Sequence, residues 1–126
     1  MNTPLPGVSS LQELLDSIKG YVSAGQQAGE GWLLTAEMIE FIRTDTPNVL
    51  CLQPFGCLPN HVTGKGVMRR LREEFEEANF CAIDFEAGTS KANVVNRLKL
   101  FLDQATGFSD RPKAAVRRTI PIVPID

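Results

Sequence analysis

At 126 residues, with 43% hydrophobic and 22% charged residues, the chain has the balance of one globular domain with its own core. A formal net charge of -2 leaves no global basic field for nucleic acid or an anionic membrane. No apolar run reaches bilayer length, and "MNTPLPGVSS" lacks the blocks of a signal peptide, so a cytoplasmic location is expected.

Residues 1–8, with Pro4 and Pro6, read as a flexible lead-in. Ser10 and Glu13 have the spacing of a capping box, and Leu11, Leu14, Leu15, Ile18 and Val22 follow at helical intervals. "GQQAGEG" (25–31) breaks that helix. A second one starts near Trp32, with Leu34, Met38, Ile39 and Ile42 on its apolar face, and Thr46-Pro47 ends it. Asn48 to Leu52 is a short apolar run that reads as a strand buried on both faces. A third helix is expected from Lys65 to Ala78, with Val67, Met68, Leu71 and Phe75 on one stripe. Phe80 to Asp84 reads as a second buried strand. After "EAGTS", a last helix turns Val94, Leu98, Phe101, Leu102 and Ala105 inward.

Strands alternating with helices imply parallel pairing and right-handed crossovers, a doubly wound α/β arrangement over residues 9–106. Two strands make a poor sheet, because their outer edges keep unpaired backbone groups. The tail, 107–126, ends in "TIPIVPID" and can add a strand at an edge, where prolines are tolerated. The sheet is therefore expected to be completed by that tail, by a second copy, or by another domain. In isolation the apolar edge predicts a symmetric homodimer burying at least roughly 1,000 Å².

Ligands of open α/β sheets sit beyond the carboxyl ends of the strands. "CLQPFGCLPNHVTGKG" (51–66) falls there, with two cysteines and the only histidine of the chain. Thr63-Gly64-Lys65-Gly66 resembles part of a P-loop. However, Pro59 stands where the pattern needs glycine, and Gly66 where it needs Ser or Thr, so the Walker reading fails. Helix amides freed at Gly64 to Gly66 can still face an anion. Cys57 and His61 are four apart, yet a nucleophilic pair needs an orienting group that the spacing does not supply. Asp84 and Glu86, flanking the end of the second strand, suit acid-base work or plain turn capping. Zinc wants four close Cys or His ligands, and three cysteines at this spacing do not make such a set. Three is also an odd count, which argues against a disulfide framework. Cys51 and Cys81 lie in apolar strands and read as core. Cys57 lies beyond the strand, after a glycine that lets something bulky approach, and is the thiolate candidate.

Three stretches, "EGWLLTAEMIEFI", "NVLCLQPFGCLPNHVTGKGVMRRL" and "AIDFEAGTSKANVVNRLKLFL", resemble the C-terminal region of the acyl-CoA dehydratase activase-related proteins. These are relatives of the 2-hydroxyglutaryl-CoA dehydratase system of anaerobic metabolism. The similarity spans about residues 8–104, and its most specific blocks are "QPFGCLPNH" and "NRLKL". It implies a flavodoxin-like fold in a system where an ATP-hydrolysing activator drives an electron to a dehydratase holding a cysteine-ligated 4Fe-4S cluster. It also implies Cys57 as a ligand to a shared cluster, or as the remnant of one, with Gln53, Gly56, Asn60 and His61 lining the same mouth. The nucleotide-binding activase domains and the other cysteine-bearing domains have no counterpart in this sequence. The chain is thus expected to be inactive alone and to work with other domains or subunits of that system. The other reading is a non-catalytic α/β binding or assembly module without a cluster. A solvent-facing Cys57 favours the first, and a Cys57 packed among apolar side chains favours the second.

Overall fold

The computed structural model describes residues 9–26 and 29–109. The first helix, α1 (Leu11–Ser17), is capped as its sequence requires. The Glu13 N–H donates to the Ser10 hydroxyl at 3.3 Å, and the Ser10 N–H donates to the Glu13 carboxylate at 2.7 Å. The helix is shorter than the apolar spacing predicts. It ends at Ser17 because the chain turns at Gly20, where φ is +87°, a value that costs glycine little.

Tyr21 and Val22 reach the core as loop residues instead. The Tyr21 hydroxyl donates to the Glu74 carboxylate at 2.6 Å, and Arg70 lies 5.4 Å from the centre of its ring. Burial first, and this hydrogen bond second, push the phenol's pKa up. The sign follows directly. The unfolded phenol loses its proton near pH 10 while the folded one keeps it, so the contact stabilises fully below about pH 10 and is lost progressively above it. Tyr21→Phe should therefore cost about 1–2 kcal/mol at neutral pH and flatten the alkaline loss of stability. Urea midpoints of both proteins between pH 8 and 11 test this. Because the chain has a single tyrosine, phenolate absorbance reports this group alone.

Helix α2 (Gly31–Arg43) leads into strand β1 (Asn48–Pro54). A wide helical turn (Asn60–Gly64) and a tight one (Lys65–Val67) then run into α3 (Met68–Glu74). Strand β2 (Asn79–Phe85) and helix α4 (Lys91–Ser109) complete the order. The third helical segment thus begins five residues earlier than its periodicity suggests and stops at Glu74. Phe75 leaves helical geometry with ψ 87°, which brings its side chain into the core.

The two strands are parallel and in register from Asn48 opposite Asn79 to Pro54 opposite Phe85. The fold is α/β, with helices on both faces of the sheet. On one face, Val49 and Phe80 pack with Met38, Ile39 and Ile42 of α2 and with Met68 and Leu71 of α3. On the other, α4 lies over β2, where the Asn79 amide donates to the Phe101 carbonyl at 3.1 Å. The expectation of strands buried on both faces holds for Ile83, at 1% exposure, and fails for Leu52, at 57%. Helix α4 is seated over β2 and not astride both strands, so Leu52 of β1 stays uncovered. For the same reason Leu102 is exposed, while Val94, Leu98, Phe101 and Ala105 turn inward as predicted.

The outer edge of β2 is closed by two side chains. Arg72 of α3 donates to the Phe80 carbonyl at 2.7 Å, and Arg97 of α4 donates to the Ala82 carbonyl at 2.8 Å. The tail strand and the lead-in expected from the sequence fall outside the described residues. No helix among the described residues is long and apolar enough to cross a membrane.

Candidate functional site

Strand β1 ends at Pro54, which donates no ladder hydrogen bond, and the chain turns back at Gly56 with φ +75°. The Cys57 N–H donates to the Pro54 carbonyl at 3.1 Å, closing the turn. The Phe55 N–H donates to the Phe85 carbonyl at 2.8 Å and ties the turn to the end of β2. Cys57 is thereby delivered to the carboxyl end of the sheet. It is half-buried, with the Asn60 side-chain amide donating to its Sγ at 3.0 Å. The same amide reaches the Glu30 carboxylate at 3.4 Å, so a residue just before α2 helps to aim it.

His61 comes to the same turn by another route. Its backbone N–H donates to the Cys57 carbonyl at 3.0 Å, and its Nε2 accepts from the Gly56 N–H at 3.2 Å. Asp84 Oδ1 is 3.9 Å from that Nε2, while Asp84 Oδ2 pairs with the Lys65 ammonium at 3.3 Å. The hydrogen bonds hold Cys57 and His61 to different partners: the thiol to Asn60, the imidazole to Gly56. The arrangement therefore positions a sulfur and does not by itself activate a nucleophile.

Beneath this turn a buried polar lock joins it to α2. The Thr35 hydroxyl donates to the Thr63 carbonyl at 2.7 Å, and the Thr63 hydroxyl sits between the carbonyls of Gly31 and Pro59. Gly31 permits the approach, since a Cβ there would lie 3.4 Å from the Thr63 hydroxyl and 3.1 Å from the Gln26 carbonyl. The lock sits on the wide helical turn at Asn60–Gly64, and that turn changes one expectation. The amides of Gly64 to Gly66 are not free at a helix start. They lie within a continuous helical stretch, residues 60–74, in which the Lys65 N–H already donates to the Asn60 and His61 carbonyls.

Of the five residues expected at the mouth, Gly56, Cys57, Asn60 and His61 are brought together. Gln53 is not. At 1% exposure it lies below the turn, with its amide 3.6 Å from Cys51 Sγ and its Oε1 buried without a partner among the described residues. Burial pushes the Cys51 thiol up, the Gln53 hydrogen bond opposes, and Asp84 adds to the rise. Cys51 is thus a core thiol on the α2 and α3 side, and Cys81 sits on the α4 side. No group of three or more His, Cys, Asp or Glu converges among the described residues.

Open clefts lie at both ends of the sheet. The larger, about 570 Å³, lies at the amino ends of the strands, around Asn79, Asp103 and Gly107. The one at the carboxyl ends, about 400 Å³, is lined by Phe55, Asp84, Glu86, Thr89, Asn93 and Arg97. The second has the position that open α/β sheets use for ligands. Toward the ends of the two strands and in the segment after β1, Leu52, Phe55, Leu58, Val62 and Phe85 are exposed, an apolar rim that the sequence did not announce. No protein-family model, curated protein or solved structure matches this chain.

Proposed function

We propose that the chain is a flavodoxin-like module of a 2-hydroxyacyl-CoA dehydratase/activase-type redox system, contributing Cys57 as one ligand to an iron-sulfur cluster shared with another domain. The observation that carries the reading is the placement of Cys57: a half-buried sulfur at the carboxyl end of the sheet, with an amide donor fixed on it. Amide hydrogen bonds to a ligand sulfur are among the means by which proteins tune such clusters. A four-iron cluster takes four thiolates, and this chain has one thiol at the mouth and two in the sheet. The residues present therefore make one corner of a site, and no reaction step is assigned to the chain on its own. When bound, the cluster would supply one-electron chemistry. The chain's own part is to orient Cys57 through Asn60.

The apolar rim favours a second reading in which the same mouth docks on a partner domain and holds no iron. Anaerobic incubation with ferrous iron and sulfide separates the two. The cluster reading expects partial, labile iron and sulfide uptake that Cys57→Ser abolishes. Cys51→Ser should keep the uptake and mainly lose stability, because it puts a hydroxyl in the core. Uptake that survives Cys57→Ser and disappears with Cys51→Ser would remove the assignment.

A further inference from the structure

The two edges of the sheet are not alike. The Asn79 N–H donates to the Pro47 carbonyl and the Phe55 N–H to the Phe85 carbonyl. With the register, this places the backbone groups of Asn48, Leu50 and Leu52 on the edge of β1 that faces away from β2. The opposite edge, on β2, is the one that Arg72 and Arg97 close.

The connections say what belongs on the open edge. The crossover from β1 to β2 runs through α3 on one face of the sheet. The next segment, α4, leaves β2 on the other face. Two crossovers of the same hand on opposite faces step in opposite directions, so a strand following α4 must lie beyond β1. Helix α4 ends at the correct end of the sheet, since Gly107 borders the same cleft as Asn79, the first residue of β2.

The slot beside β1 also has a floor and a wall. Strands lie about 4.8 Å apart and packed helices about 10 Å apart, so two helices on one face overhang two strands. Because α3 meets β2 and α2 meets β1, α2 is the one that extends past β1. On α4, Arg97 and Gln104 turn toward the outer edge of β2, so Val95 and Leu102 on its opposite flank turn toward β1. Both are exposed, as is Leu52.

We propose that this slot is the docking site for the segment Thr119–Ile125 of this chain, added parallel to β1 to give the strand order β2, β1, tail. The segment lies outside the described residues. Its ten-residue distance from Ser109 spans up to about 33 Å, enough to return to the start of β1. Pro121 and Pro124 have opposite parity, so only one of them faces β1 and only one ladder hydrogen bond is lost. A second copy fits the slot less well, since pairing β1 with its symmetry mate would bring the overhanging α2 helices against each other. The inference rests on topology and is independent of iron binding at Cys57.

The test is hydrogen exchange on the full chain. The Leu50 and Leu52 amides should exchange about tenfold or more slower in the natural sequence than in an Ile122→Asp, Val123→Asp variant, equally at low and high protein concentration. Unchanged protection of Leu71 and Ile83 in the variant shows that the core is intact. A second measurement needs no variant. Labelled chain diluted in excess unlabelled chain should show contacts between the methyl groups of Leu52 and those of Ile120 to Ile125. Absence of those contacts overturns the proposal. So does protection of Leu50 and Leu52 that rises with concentration, which would assign the slot to a second copy.

Discussion

Leu71→Ala should lower the urea midpoint sharply with little change in slope, a loss of about 3–5 kcal/mol. Leu71 is fully buried, at 0% exposure, among Met38, Ile39, Val49 and Phe80. It stands where α2, α3 and the sheet meet, so the cavity left by alanine is walled by three elements and collapses poorly. A domain of this size is stable by roughly 5–10 kcal/mol in all, so the variant should be partly unfolded at physiological temperature. Fluorescence of Trp32, the chain's single tryptophan, follows the transition. A loss below about 1 kcal/mol would mean that the core around Leu71 relaxes into the space and is not close-packed.

Thr63→Val should cost about 1–3 kcal/mol and free the turn that holds Cys57. The substitution keeps the shape of a side chain at 1% exposure and removes the hydroxyl that serves the Gly31 and Pro59 carbonyls. The hydroxyl's single proton serves one of the two carbonyls at a time, and a methyl in its place removes that buried hydrogen bond. Thr63→Ser keeps the hydroxyl and should lose far less. The second readout is chemical. With the lock gone, Asn60 no longer sits squarely on the sulfur, so Cys57 should react faster with a bulky thiol reagent than in the Ser variant. Equal stability and equal reactivity in the Val and Ser variants would show that the hydroxyl does not hold the turn.

The sequence shows this fold where local chemistry dictates it. Ser10 and Glu13 cap a helix because four atoms three residues apart satisfy each other. The chain turns at Pro54, Gly56 and Pro59 because the prolines fix φ and Gly56 adopts φ +75° at little cost. The mouth was legible for the same reason: Cys57, Asn60 and His61 share one turn, so proximity in the chain is proximity in space. The failures come from strand alternation and from distance along the chain. Gln53 looked like part of the mouth because it is next to it in sequence, yet strand alternation points it below the turn. Glu30, which steadies Asn60, is thirty residues away, and no local pattern connects them. The wide helical turn at Asn60–Gly64 is packed on the start of α2, far off in sequence, and periodicity around Lys65 placed the helix too late.

Arg72 and Arg97 have an effect beyond the two hydrogen bonds they make. Edge strands polymerise because each added unit presents a fresh edge to the next. A sheet sealed on one side lacks that property. Whatever pairs with β1, growth stops at the far side of β2, where guanidinium groups already occupy the carbonyls of Phe80 and Ala82. Among the described residues, an incoming strand finds ladder acceptors free on the β1 edge and two already taken on the β2 edge, so pairing at β1 is the favoured one.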